Sequence, residues 1–134
     1  MKPISSLIHG LLDYVIAIAL YAVPRLLDWP SAATTTLTVL AVVLLVCSLL
    51  TRYEMSAFGR IPMTAHLAVD VALAVALGIS AALLPVSPGV QALLAGTAVF
   101  MLILVPLTRP VPEVPKAVEG PEAEKPEEPA ERAA

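Results

Sequence analysis

Four residues in this chain have the types and the spacing to do chemistry. His9 and Asp13 stand in "SLIHGLLDYV" (6–15), and His66 and Asp70 in "IPMTAHLAVD" (61–70); each pair lies in an apolar run long enough to cross a bilayer. On a helix, residues four apart share a face, so each His can hydrogen-bond the Asp one turn further on. At 1.5 Å per residue Asp13 lies roughly 13 Å inside the start of its helix, near the middle of the hydrocarbon. An ionisable group there costs on the order of 3 kcal/mol, so it should face the bundle interior and be paired.

Several kinds of chemistry fit the set His9, Asp13, His66 and Asp70. As polar interhelical contacts, the two His–Asp pairs can fix the packing of an otherwise greasy bundle. As ligands, two imidazoles and two carboxylates form a tetrahedral set for Zn²⁺ or another divalent cation; in spacing alone the paired H-x-x-x-D is similar to the intramembrane zinc sites of cation-diffusion transporters. The same groups can relay protons. Haem, with His9 and His66 as axial ligands, is a weaker expectation, since each His has an Asp as its nearest natural partner. The chain shows no nucleophile–base arrangement, Gly-rich phosphate loop or Cys cluster, and it reads as a non-enzyme without a nucleic-acid partner.

These residues need spanning elements to hold them. The 134 residues are 58% hydrophobic and 14% charged, with a mean hydropathy of +0.86, outside the range of soluble domains. The long apolar stretches, charged only at Asp13, Arg25 and Asp70, predict helices at roughly 4–27, 31–51, 63–84 and 87–108. The first run follows Lys2 as a signal peptide would, but it carries an Asp, exceeds a cleaved h-region in length and precedes three more spans. It therefore reads as a retained first helix. Cys47 reads as an apolar helix residue, Pro24 as a kink or helix end, and "SAATTTLT" (31–38) as a surface for close helix contact. Tyr14 and Tyr21 suit either an interior site or interfacial packing.

Four crossings put both termini on one side, together with Lys2, Arg52, Arg60 and Arg109, against Arg25 on the other. The positive-inside rule places both termini in the cytoplasm of a plasma or bacterial inner membrane. Trp29, Tyr53 and Phe58 fall where an interfacial aromatic belt belongs, and "PVSPG" (85–89) reads as a tight outer turn. Residues 1–108 carry four basic and four acidic groups, whereas 109–134 carries four basic and seven acidic, so the net charge of −3 resides in this Pro/Glu-rich segment. It reads as a disordered acidic cytoplasmic tail.

An internal repeat organises the rest. "HGLLD" (9–13) and "HLAVD" (66–70) are 57 residues apart, and the same offset aligns "LTR" (50–52) with "LTR" (107–109), Leu26-Leu27 with Leu83-Leu84, Ala41-Val42 with Ala98-Val99, and Leu37 with Leu94. The expected fold is all-α: a four-helix transmembrane bundle over 1–108, built from two tandem two-helix repeats, about 4–52 and 61–109. Two units with an even number of crossings share one orientation, about a pseudo-twofold axis along the membrane normal. The paired His and the paired Asp then lie at matching depths.

With "HGLLDY" (9–14), "LLTRYE" (49–54) and "IPMTAHLAVD" in place, the chain resembles the SPW-repeat family of small bacterial integral membrane proteins over about residues 3 to 109. The resemblance implies two-helix repeats, each with an S-P-W tripeptide near the outer end of its first helix, and no established activity. The aligned positions here read Val23-Pro24-Arg25 and Ser80-Ala81-Ala82, a departure from that tripeptide. The function expected first is a structural or interaction role in the lipid bilayer, as a homo-oligomer or with a membrane-protein partner. A transporter-like protein with an intramembrane cation or proton site is the alternative. For the topology, protease added to sealed right-side-out cells should leave a C-terminal tag intact; loss of the tag would overturn the N-in, C-in arrangement.

Overall fold

In the computed structural model the described residues are 3–52 and 58–109. They form four helices, α1 (Ser6–Leu26), α2 (Ser31–Leu50), α3 (Met63–Leu83) and α4 (Pro88–Leu107), with no strand among them. The boundaries lie within two residues of those read from hydropathy. Tyr53 and residues 110–134 of the acidic tail fall outside the described residues. Each helix is long and apolar enough to cross a membrane, as fits a multi-pass membrane protein.

Local chemistry sets the helix ends. The Ser5 hydroxyl accepts from Ile8 N–H at the start of α1, and Ser87 does the same for Val90 at the start of α4, just ahead of Pro88. Pro30 and Pro62 precede α2 and α3, where a missing N–H costs nothing. Pro24 sits in the last turn of α1, where its missing N–H removes one backbone hydrogen bond just before the helix ends, in keeping with the helix-end reading. In the turn that follows, Asp28 adopts φ 50°, a conformation that Asp tolerates better than most residues. Between α2 and α3 the reversal uses Gly59 at φ 53°, whose carbonyl accepts from Arg52 Nε.

Helices α1 and α2 pack as one hairpin and α3 and α4 as the other, with α2 also against α3. Small and branched residues at matching repeat positions make the core: Ala41 and Ala98, Leu37 and Leu94, Ile16 and Leu73, Ala17 and Ala74, Leu20 and Leu77 are all buried. Small residues let helix backbones approach closely where no hydrophobic force acts between spans. The expected contact role of 31–38 holds in part. Ala33 and Leu37 are fully buried, while Thr38 accepts from Arg25 Nη2 (2.8 Å) and Arg25 lies 3.9 Å over the Tyr21 ring.

The two repeats also exchange backbone hydrogen bonds at one end of the bundle. Ile4 N–H donates to Leu107 O (3.1 Å) and Arg109 N–H to Ile4 O (3.0 Å); 57 residues on, Ile61 N–H donates to Leu50 O and Arg52 N–H to Ile61 O, both at 2.8 Å. The start of each repeat's first helix is thus pinned to the end of the other repeat's second helix. Those pins place Thr108 beside the first turns of α1 and Thr51 beside those of α3. Because Leu37 and Leu94 fill equivalent places, Leu37→Ala and Leu94→Ala should each destabilise the detergent-solubilised protein by about 2 kcal/mol or more. Comparable losses in a thermal melt support the twofold core; a loss at one position alone would show that the two halves pack differently.

Candidate functional site

His9 and Asp13 lie one turn apart on the inner face of α1, and His66 and Asp70 on that of α3. All four are buried, none more than 2% exposed. The bundle brings them into one cluster, in which one ligand atom from each lies within 4.8 Å of the others. The two imidazoles meet edge to face, with centroids 5.6 Å apart.

The pairing is crossed. His9 Nε2 is 2.9 Å from Asp70 Oδ2 and His66 Nε2 is 2.9 Å from Asp13 Oδ2, whereas the same-helix separations are 3.5 Å for His9–Asp13 and 3.3 Å for His66–Asp70. The sequence expectation that each His bonds the Asp one turn further on is therefore corrected: the nearer partner belongs to the other repeat. The reason is geometric. Side chains four apart on one helix run alongside each other, while facing helices direct theirs head-on across the interface.

Two residues that the sequence reading placed only in the repeat complete the site. The Thr108 hydroxyl donates to Leu104 O (2.7 Å) and lies 2.8 Å from His9 Nδ1; the Thr51 hydroxyl donates to Cys47 O (2.7 Å) and lies 3.0 Å from His66 Nδ1. A hydroxyl has one proton, and a carbonyl can only accept it, so each Thr oxygen is left to accept from the imidazole. Both histidines therefore carry a proton on Nδ1, and both direct Nε2 at the carboxylates.

One further proton then resides in each Nε2···Oδ2 contact, on the imidazole or on the carboxyl. Either way the cluster as a whole is neutral. A neutral cluster is compatible with hydrocarbon depth where four separate ionisable groups are not.

The twofold is broken around the carboxylates. Ser48 Oγ donates to Asp13 Oδ2 (3.4 Å), and Cys47 Sγ lies 3.2 Å from His66 Nδ1. The corresponding residues of the second repeat are Val105 and Leu104, which offer no polar atom in their side chains. Asp70 Oδ1 is buried with no hydrogen-bond partner among the described residues. Cys47, read from sequence as an apolar helix residue, is buried as expected but also borders the site. The one available signal was the repeated "LTR", whose Thr orients each imidazole. Of the tyrosines weighed for the site, Tyr14 is half-buried and Tyr21 is exposed.

Comparison with protein-family models, with curated proteins and with solved structures returned no match.

If the four groups act as one unit, removing one leaves its partners buried without compensation. Asp13→Ala and Asp70→Ala should each cost about 3–5 kcal/mol in detergent, and the double variant should cost less than their sum by about 1 kcal/mol or more. Additive losses in this double-mutant cycle would mean two independent pairs.

Proposed function

We propose that the chain is a small multi-pass protein of the plasma membrane with a structural or interaction role, its two hairpins held together by the crossed His–Asp cluster. The observation that carries this reading is the exchange itself: the 2.9 Å contacts of both His–Asp pairs join one repeat to the other. The rest of the molecule agrees. The connection between α1 and α2 is short, as is that between α3 and α4, leaving little chain on that side from which to build a catalytic surface. Outward positions such as Leu11, Val15 and Ile18 on α1, Val39, Val42 and Val46 on α2, Val75 and Ile79 on α3, and Val99 and Ile103 on α4 are exposed and apolar, as a lipid- or partner-facing wall requires.

Cytoplasmic termini are part of this reading, supported by the basic residues gathered at the Arg52–Arg60 end. Membership of the SPW-repeat family is a further part, supported by the shared frame of His, Asp and "LTR". At the place of the tripeptide, Pro24 and Ala81 occupy equivalent buried positions near the ends of α1 and α3. A transporter-like protein carrying a cation or proton is the second reading, favoured by Asp70 Oδ1, which is buried with no hydrogen-bond partner among the described residues. Three apolar clefts on the described part of the bundle are lined by none of His9, Asp13, His66 or Asp70, so none of the three leads to the cluster.

Flux separates the two. Purified protein in sealed liposomes loaded with a pH- or zinc-sensitive dye should give proton and Zn²⁺ leak rates equal to those of empty liposomes under an imposed gradient. Flux that depends on the protein and vanishes in Asp13→Asn would overturn the structural reading in favour of transport.

A further inference from the structure

We propose that His9, Asp13, His66 and Asp70 form a binding site for a single tetrahedral divalent transition ion of the Zn²⁺ class, coordinated by the two Nε2 atoms and one oxygen from each carboxylate. This goes beyond the structural reading, which holds whether or not an ion binds.

Geometry is the first support. Zn²⁺ binds His nitrogen and carboxylate oxygen at about 2.0–2.2 Å, so neighbouring ligands of a tetrahedral ion stand about 3.3–3.5 Å apart. The four His–Asp edges of this cluster measure 2.9, 2.9, 3.3 and 3.5 Å. The two short edges reach that spacing by lengthening a few tenths of an ångström, and the remaining separations within the set, up to 4.8 Å, close by side-chain rotation as the ion enters.

The orientation of the imidazoles is the second. A metal-binding His presents one nitrogen lone pair and donates its other N–H to a fixed acceptor, which holds the ring and raises its basicity. Thr108 and Thr51 are such acceptors, each held in turn by a backbone carbonyl of the last turn of its helix. Both rings consequently aim Nε2 inward.

Charge balance is the third. The cluster holds two shared protons and is neutral. One divalent ion entering as two protons leave, with both Nδ1–H groups kept, gives two neutral imidazoles, two carboxylates and a 2+ charge, again neutral. The exchange thus adds no net charge to a low-dielectric interior. A fourth observation is independent of these: Asp70 Oδ1 is buried and has no donor among the described residues, although Asp70 Oδ2 faces both imidazoles. Rotation of the Asp70 carboxyl about its last torsion offers this donorless oxygen to an ion at the cluster, a partner that no protein group supplies.

The test uses the full chain in detergent, treated with chelator and then titrated with Co²⁺ as a spectroscopic stand-in for Zn²⁺. The expected result is one Co²⁺ per chain, visible d–d absorption of tetrahedral intensity, displacement by one equivalent of Zn²⁺, and release of two protons per ion in weak buffer. Asp70→Asn, with helical content unchanged by circular dichroism, should lose the absorption band. Thr108→Val should keep the band and the stoichiometry but weaken binding about 10- to 100-fold, as loss of an orienting acceptor does. Absence of a tetrahedral band in folded wild-type protein would overturn the proposal. So would a band that persists in Asp70→Asn. If that variant fails to fold, His66→Gln takes its place with the same two outcomes. Ion binding without flux leaves the structural reading intact, and flux without a tetrahedral band removes the metal site alone.

Discussion

Two carboxyl groups inside a bilayer-spanning bundle constrain everything around them. Asp13 and Asp70 are only 2% and 1% exposed, closed off from water by the surrounding helices. Each must find a proton or a donor, and the nearest supplier is the imidazole of the opposite repeat. Satisfying Asp13 brings α3 to α1 at the level of His66, and satisfying Asp70 does the same at the level of His9. One polar requirement thus ties the distance, rotation and vertical register of α1 to those of α3. The Thr hydroxyls extend the constraint to α2 and α4, because each imidazole needs an acceptor for its remaining N–H and finds it where the second helix of a hairpin ends.

Duplication explains why the arrangement closes on itself. A single hairpin would hold one His, one Asp and one Thr with no facing partner. A second copy in the same orientation turns each unsatisfied donor toward an unsatisfied acceptor, as in an isologous interface. The backbone shows the same exchange at Ile4 and Ile61. Symmetry in the required contacts does not impose symmetry elsewhere. Helices α2 and α3 are in direct contact, and a cleft of about 330 Å³ lined by Val43, Val46, Cys47, Leu50, Ile61 and Val69 flanks their seam, whereas the cleft at the equivalent α4–α1 seam is about 200 Å³ and is lined by Val15, Leu20, Trp29, Leu93, Leu94 and Thr97 among others. Cys47 and Ser48, facing Leu104 and Val105 across the pseudo-twofold, show that the shell of the cluster has diverged while its centre has not.

Much of this was legible in the sequence because the relevant signals are long or repeated. Four long apolar runs locate α1 to α4, and the 57-residue offset foretells that His9 and His66 occupy equivalent positions. What spacing could not say is which Asp each His prefers. The interval H-x-x-x-D reports a common face, but it carries no information on the neighbour across the interface, and the crossed pairs at 2.9 Å depend on helix rotation and separation. Thr51 and Thr108 were visible only as letters of a repeated "LTR", since a Thr in an apolar run usually satisfies itself on the carbonyl four residues back. Both do that here and accept from a histidine as well. Cys47 gave no local signal at all, because a lone buried thiol has the same sequence appearance as a small apolar residue.

Selection of one packing from many is the remaining step. Lipid tails are as apolar as leucine, so the outward Leu, Ile and Val residues do not distinguish this bundle from one with its helices rotated. Small residues at Ala17, Ala41, Ala74 and Ala98 allow close approach but tolerate sliding along the helix axis. A slide of one turn would leave van der Waals packing largely intact, yet it would pull both imidazoles from both carboxylates. The cost of four stranded polar groups in hydrocarbon is far larger than the packing difference, so the cluster is the element that makes the native register the only low-energy one. Specificity in this small bundle therefore resides in six side chains, His9, Asp13, Thr51, His66, Asp70 and Thr108, while the apolar majority supplies its affinity for the membrane.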